Sequence, residues 1–285
     1  MRWEKSRQSS NIEDRRGRRL SVGRRSGIGG VGSVVAILVA LYFGVDPQVV
    51  LTVLSGLEEG STVSAPASAP AKNDPQARFI AAVLGDTEDT WHQLFARAQR
   101  QYQEPRLVLF SDQVQSACGQ ANAAVGPFYC PADRKVYLDL SFFRELDTRF
   151  GAPGDFAQAY VVAHEVGHHV QTLLGISAQV QRKRQSVSVS EGNALSVRQE
   201  LQADCFAGVW AHYAQKDRDL LEAGDIEEGL AAAAAVGDDR LQRKASGRVV
   251  PESFTHGTSA QRVRWFREGF SKGTLSACDT FKRQI

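Results

Sequence analysis

The chain has no CxxC pair among its four cysteines, no internal repeat and only six histidines in 285 residues. The missing CxxC argues against a cysteine-rich zinc site, and the missing repeat excludes an array of stacked units. A general charge excess is missing as well. Residues 1–27 hold nine Arg or Lys against three acidic residues, a local +6, whereas the whole chain is +2, so the remainder is about −4. The basic character therefore belongs to an N-terminal arm. That arm lacks interleaved aromatic residues and adjoins an apolar segment, which argues against a nucleic-acid partner.

Long apolar runs are absent except at residues 28–45, where about 18 uncharged residues approach the lower limit for crossing a bilayer. Tyr42 and Phe43 suit the membrane interface, and positive residues precede the run with none just after it. This pattern predicts one transmembrane helix in the inner (cytoplasmic) membrane, a cytoplasmic N-terminus and a periplasmic or extracellular C-terminal domain. The alternative is a cleaved signal peptide, since residues 65–71 are rich in Ala, Ser and Pro. A signal h-region is shorter and its cleavage site follows at once, so a retained anchor is the expectation. Residues 47–54 are too short to cross again. Residues 46–75 read as a linker, with little to bury beyond position 55, and residues 76–285 as the folded domain.

What the folded part does contain is His164-Glu165-Val166-Gly167-His168 inside an apolar helical stripe through Phe156, Ala159, Tyr160, Ala163, Val170 and Leu174. Asp155 is the expected cap of this helix. Imidazoles four residues apart are separated by about 40° of rotation and about 6 Å of rise, so both reach one metal ion, and zinc suits them. Glu165 lies about 100° round from His164, where a carboxylate serves a water as general base. Chance alone would produce HExxH in on the order of one such chain in a hundred, so the context has to decide. Gly167 weakens a helix interior by about 1 kcal/mol relative to Ala, which asks for a close backbone neighbour. His169 points away from His168 and reads as a packing or supporting residue, while His92 and His212 read as ordinary helix residues.

A catalytic zinc needs a third protein ligand and an open position. Glu200 and Asp204 supply it from a second predicted helix, one turn apart on one face. Glu200 is the third ligand, and Asp204 accepts the other N–H of a ligating His, fixing its tautomer. One zinc ion is thus held by His164, His168 and Glu200. It lowers the pKa of its water toward about 7 and polarises a scissile carbonyl, while Glu165 moves the proton. His256 and Arg262, in a Gly-containing loop opening a helix, are the candidate donors to the oxyanion.

These blocks make the chain resemble zinc metallopeptidases of the gluzincin type, which pair HExxH with a downstream ExxxD helix. More closely it is similar to the bacterial neutral zinc metallopeptidase family, whose members carry a membrane-anchoring N-terminal segment. The matching residues are His164 to Gln171, Gln199 to Asp204, Gly126-Pro-Phe-Tyr-Cys-Pro131 with Val136-Tyr-Leu-Asp139, and Thr255-His-Gly-Thr-Ser259 followed by Arg262. The resemblance covers roughly residues 76–285 with its blocks in family order, and implies hydrolysis of a polypeptide substrate. The contrasting reading is a membrane-anchored binding or scaffold protein with an inert zinc site. Glu165 argues against it, since a purely structural site needs no such residue.

Four cysteines beyond the apolar run allow three pairings in an oxidising compartment, or four reduced thiols if the domain stays in a reducing one. Cys118 with Cys130 would close a local loop, and Cys205 with Cys278 would then tie the Glu200 helix to the C-terminal tail. Further helices are predicted from Thr87 or Asp89 through Tyr102, and over residues 142–150, 190–216, 225–242 and 258–272. A strand is predicted over 106–113, and a hairpin over 127–139 beside the HExxH helix, where it could pair with an extended substrate or be an ordinary edge. The expected fold is mainly helical α+β, a zincin-like metallopeptidase domain with one small sheet.

Overall fold

The computed structural model describes residues 1–16, 73–122 and 126–285. These residues form a mainly helical α+β structure with two small sheets, one more than the sequence pattern predicts. In the first sheet β1 (Ile12–Asp14), β2 (Arg106–Phe110) and β6 (Lys135–Asp139) run parallel, and β5 (Phe128–Cys130) closes the edge antiparallel to β6, in the order β1-β2-β6-β5. β3 (Gln113–Ser116) and β4 (Gly119–Asn122) make a separate hairpin. Strand alternation sends Leu107, Leu109, Val136 and Leu138 into the main core, and Val108, Phe110 and Tyr137 into a smaller cluster with Val114 and Cys130.

The helices are α1 (Pro75–Arg97), α2 (Ser141–Thr148), α3 (Asp155–Leu173), α4 (Ile176–Arg184), α5 (Val189–Arg218), α6 (Asp225–Ala235), α7 (Asp238–Ser246) and α8 (Ser259–Lys272). α3 carries HExxH and α5 carries Glu200 and Asp204. Their packing explains Gly167: a Cβ there would lie 3.0 Å from the Ala203 carbonyl oxygen, so glycine is what lets α5 approach. α5 and α8 meet still more closely, since a Cβ on Gly208 would stand 2.1 Å from the Phe266 carbonyl oxygen. Around these crossings Phe156, Tyr160, Phe206, Trp210, Trp265 and Phe266 fill the core. Disulfides join Cys118 to Cys130 and Cys205 to Cys278, the first binding the β3-β4 turn to the end of β5 and the second binding α5 to the C-terminal segment.

Several expectations are corrected. α1 starts twelve residues before Thr87, at Pro75, with Asp74 as its cap, and it ends before Tyr102. The helix expected over 225–242 breaks at Val236 and Gly237, because the Gly237 backbone presses on α8 so tightly that a Cβ would lie 2.4 Å from the Ser259 nitrogen. Asp155 occupies the first turn of α3 behind Gly154 and does not cap it. Its carboxylate receives the Met1 α-amino group, which Glu222 and Asp225 also surround.

The largest correction concerns residues 1–27, expected as an arm separate from the domain. Met1 to Gly17 belongs to the same compact unit as residues 68–285. β1 pairs with β2, and the buried Glu88 carboxylate of α1 accepts from Arg7, Ser9 and Asn11. Residues 1–16 and the domain, expected on opposite sides of a membrane, are therefore hydrogen-bonded to each other. The predicted span at 28–45 and the linker up to residue 72 lie outside the described residues. Among the described residues no helix is long and apolar enough to cross a membrane.

Deleting residues 1–16 would leave Glu88 buried without its three partners and bare the edge of β2. Breaking a buried charged group's pairing costs about 3–5 kcal/mol. The expected outcome is a large drop in thermal midpoint, and a melting curve like that of the full chain would show that the segment contributes nothing to stability.

Candidate active site

α3 and α5 bring the sequence-predicted ligands together at the floor of a groove of about 1170 Å³. Nε2 of His164 lies 3.2 Å from one Glu200 oxygen, and Nε2 of His168 lies 3.3 Å from the other. The two imidazole centroids are 4.8 Å apart and nearly perpendicular. Tetrahedral zinc with bonds of about 2.0–2.1 Å holds neighbouring ligand atoms roughly 3.3 Å apart, close to the two His–Glu200 distances, and one ligand atom from each of the three residues lies within 4.8 Å of the others, so the set is gathered closely enough to hold one ion.

Each histidine is aimed by a partner on its far nitrogen. Nδ1 of His164 donates to Asp204 at 2.8 Å, and Nδ1 of His168 donates to the Gln171 amide oxygen at 3.0 Å. Gln171 is itself buried and fixed by donating to the Gln199 carbonyl and to Gln202. It is the uncharged counterpart of Asp204. Sequence reasoning gave it no role, although its place three residues after His168 on one helix face was a usable signal.

Asp204 is fully buried and forms the hub of the support. Arg262 reaches it with Nε at 2.8 Å and Nη2 at 2.8 Å, and the Tyr160 hydroxyl also donates to it. Burial works against its charge, but Arg262 and His164 outweigh burial and hold its pKa at about 2. Burial likewise opposes charge on His164, yet Asp204 and Glu200 raise the imidazole to about 9. The expectation for Arg262 is therefore corrected. Its guanidinium is turned onto Asp204, Tyr160 and the Val236 carbonyl, so it is a counter-ion to the carboxylate that orients His164 and is not aimed at an oxyanion.

Glu165 also lines the groove, 8% exposed, and among the described residues its carboxylate has no hydrogen-bond partner. His256 stands across the groove. Its Nδ1 faces Asp238 at 3.1 Å, and Asp238 also accepts the backbone N–H groups of Thr255, His256 and Gly257. The hydrogen bond that its Nδ1–H donates to Asp238 raises the His256 pKa above its ordinary value. Asp238 was missed because it sits inside the helix that the sequence pattern draws unbroken. His169 takes no part in the donor set and is buried against Tyr129 and Gln103.

A sequence model of the family described as "Putative neutral zinc metallopeptidase" matches residues 1–281. The chain belongs to this family. The metallopeptidase match includes residues 1–16, in keeping with their place in the fold. The chain is 48% identical to the uncharacterized protein YpfJ of Escherichia coli K12 over the full length of both chains. It is also 50% identical to the uncharacterized protein Rv2575 of Mycobacterium tuberculosis H37Rv over 63% of each chain. No solved structure matches. Membership of a zinc metallopeptidase family implies zinc and a polypeptide substrate, and His164, His168 and Glu200 are the described group of possible ligands that includes nitrogen donors.

Replacing Asp204 with Asn removes the negative charge that pairs with Arg262 and orients His164. Zinc affinity should fall by about 10–100-fold, the range for loss of a group that supports a metal-bound histidine. A chelator-competition titration measures this, and unchanged affinity would remove Asp204 from the metal site.

Proposed function

We propose that the protein is a zinc-dependent endopeptidase in which Glu165 acts as general base. The observation that carries this reading is the convergence of His164, His168 and Glu200 beside an unpartnered carboxylate within one groove. When bound there, zinc supplies Lewis acidity toward the scissile carbonyl and acidifies a water. Glu165 takes the proton of the attacking water and returns it to the leaving amine. An inert zinc-binding scaffold would have no use for a buried carboxylate left free in this way. The pairing of HExxH and ExxxD helices beside an antiparallel edge strand supports a zincin-like catalytic fold.

Among the described residues β5 has a sheet neighbour on one side only, and Phe128 and Tyr129 line the groove. An extended substrate laid along its free edge would form main-chain hydrogen bonds and bring a peptide bond over the metal ligands. His256 would then face the developing oxyanion. Since its Nδ1–H is directed at Asp238, Nε2 carries a proton to donate only in the imidazolium form.

The cellular address is part of the proposal. Residues 1–16 and the domain share one compartment, and the two disulfides suit an oxidising one. The apolar run at residues 28–45 would hold the enzyme at a membrane, which favours polypeptides near that surface as substrates.

Glu165→Gln should retain zinc and lose peptide hydrolysis by several orders of magnitude, and full activity in that variant would sink the general-base role. His256 gives a pH test with a definite sign. Its pKa is raised, so its donor is present below the raised value and lost as pH rises through it, giving kcat an alkaline limb. Asp238→Asn should move that limb to lower pH and His256→Ala should abolish it. An identical pH profile in both variants would exclude His256 from the reaction.

A further inference from the structure

His169 follows the metal residue His168 directly, is fully buried, and is used by no step of the reaction. Its two ring nitrogens reach two different segments, the loop before β2 and the β5 strand of the groove wall. Nε2 lies 2.6 Å from the Gln103 carbonyl oxygen and Nδ1 lies 3.0 Å from the Tyr129 hydroxyl. A backbone carbonyl only accepts, so Nε2 carries the proton, Nδ1 is the acceptor, and the Tyr129 hydroxyl donates to it. Tyr102 and Tyr129 pack edge-on against the ring and leave it little freedom to rotate.

Tyr129 is the middle residue of β5, the strand with the free edge. The contact from His169 is thus a strut from the metal helix to the centre of that strand. Two other ties hold the same hairpin. Arg134, in the β5-β6 turn, donates to the Gln103 side chain, so the loop that anchors His169 also anchors the turn. The Cys118–Cys130 disulfide fixes the end of β5. The turn and the strand end therefore have their own supports, while the strand's centre is held to the metal helix through the Tyr129 side chain, which meets His169 and also hydrogen-bonds Thr172.

We propose that His169 is a positioning residue for substrate: through Tyr129 it sets the distance between the β5 edge and the metal ligands. This rests on the peptidase reading, in which β5 receives an extended chain. A displacement of the strand would misplace a peptide bond relative to the metal while leaving the metal site intact. Purely structural support would instead alter stability and metal binding together.

The test uses the full chain loaded with zinc and two zinc-directed probes. Acetohydroxamate reads the metal alone, and a peptide hydroxamate of six residues reads the metal together with the strand. Tyr129→Phe keeps the ring and removes the hydroxyl. It should leave zinc content and acetohydroxamate affinity unchanged and weaken the peptide hydroxamate by about tenfold, the scale of one hydrogen bond. His169→Phe should do the same with a lower melting temperature. His169→Gln, which retains an N–H for the carbonyl and an oxygen for Tyr129, should restore part of the affinity. Unchanged peptide affinity in Tyr129→Phe, or equal weakening of both probes, would overturn the role of His169. A wild-type chain that binds neither probe would overturn the peptidase reading and this proposal with it, so the two failures are told apart.

Discussion

The arrangement of the groove depends on one buried charge, the Asp204 carboxylate. It is fully enclosed, so it must be answered by donors, and three converge on this α5 residue from two other helices: Arg262 from α8, Tyr160 and His164 from α3. An unpaired carboxylate at this depth would cost several kcal/mol, which makes any arrangement of α3, α5 and α8 that separates these groups unfavourable. The pair contributes less through net stability than through geometry: it specifies one mutual placement of the three helices, and that placement points Nε2 of His164 at Glu200.

Close helix packing makes the convergence possible. Gly167 lets α5 reach α3, and Gly208 and Gly269 let α8 reach α5 so closely that any side chain would enter a backbone. The Cys205–Cys278 disulfide starts one residue after Asp204 and holds the C-terminal segment over the same crossing. Small residues thus do at the crossings what polar residues do at the site. They exclude alternatives by leaving no room for them.

How much of this the sequence discloses depends on how local the cause is. His164 and His168 are legible because a four-residue spacing on a helix is decided by helix geometry alone. Glu200 and Asp204 follow, since their helix is strongly patterned and the first motif creates a need for a ligand and a support. Asp238 is hidden because the break that exposes it comes from Gly237 meeting Ser259, a contact across 22 positions that no local pattern encodes. Residues 1–16 are hidden for a different reason. β1 is only Ile12–Asp14, too short and too acidic to read as a strand, and the surrounding arginines suggest solvent until their partners Glu88, Glu13 and Asp74 are seen.

The charges around the groove floor bring these points together. Asp204, Glu200 and Glu165 carry three negative charges, and Arg262 carries the positive charge that faces them, which leaves two negative charges when both histidines are neutral. A divalent cation cancels that remainder. Without Arg262 the floor would hold three like charges around a single ion, and without Asp204 the guanidinium would sit beside His164 and oppose the metal. The buried ion pair therefore supports His164 without adding net charge to the site. It leaves Glu200 and Glu165 outside the ion pair, so which of the three carboxylates is neutralised is decided by which of them Arg262 reaches.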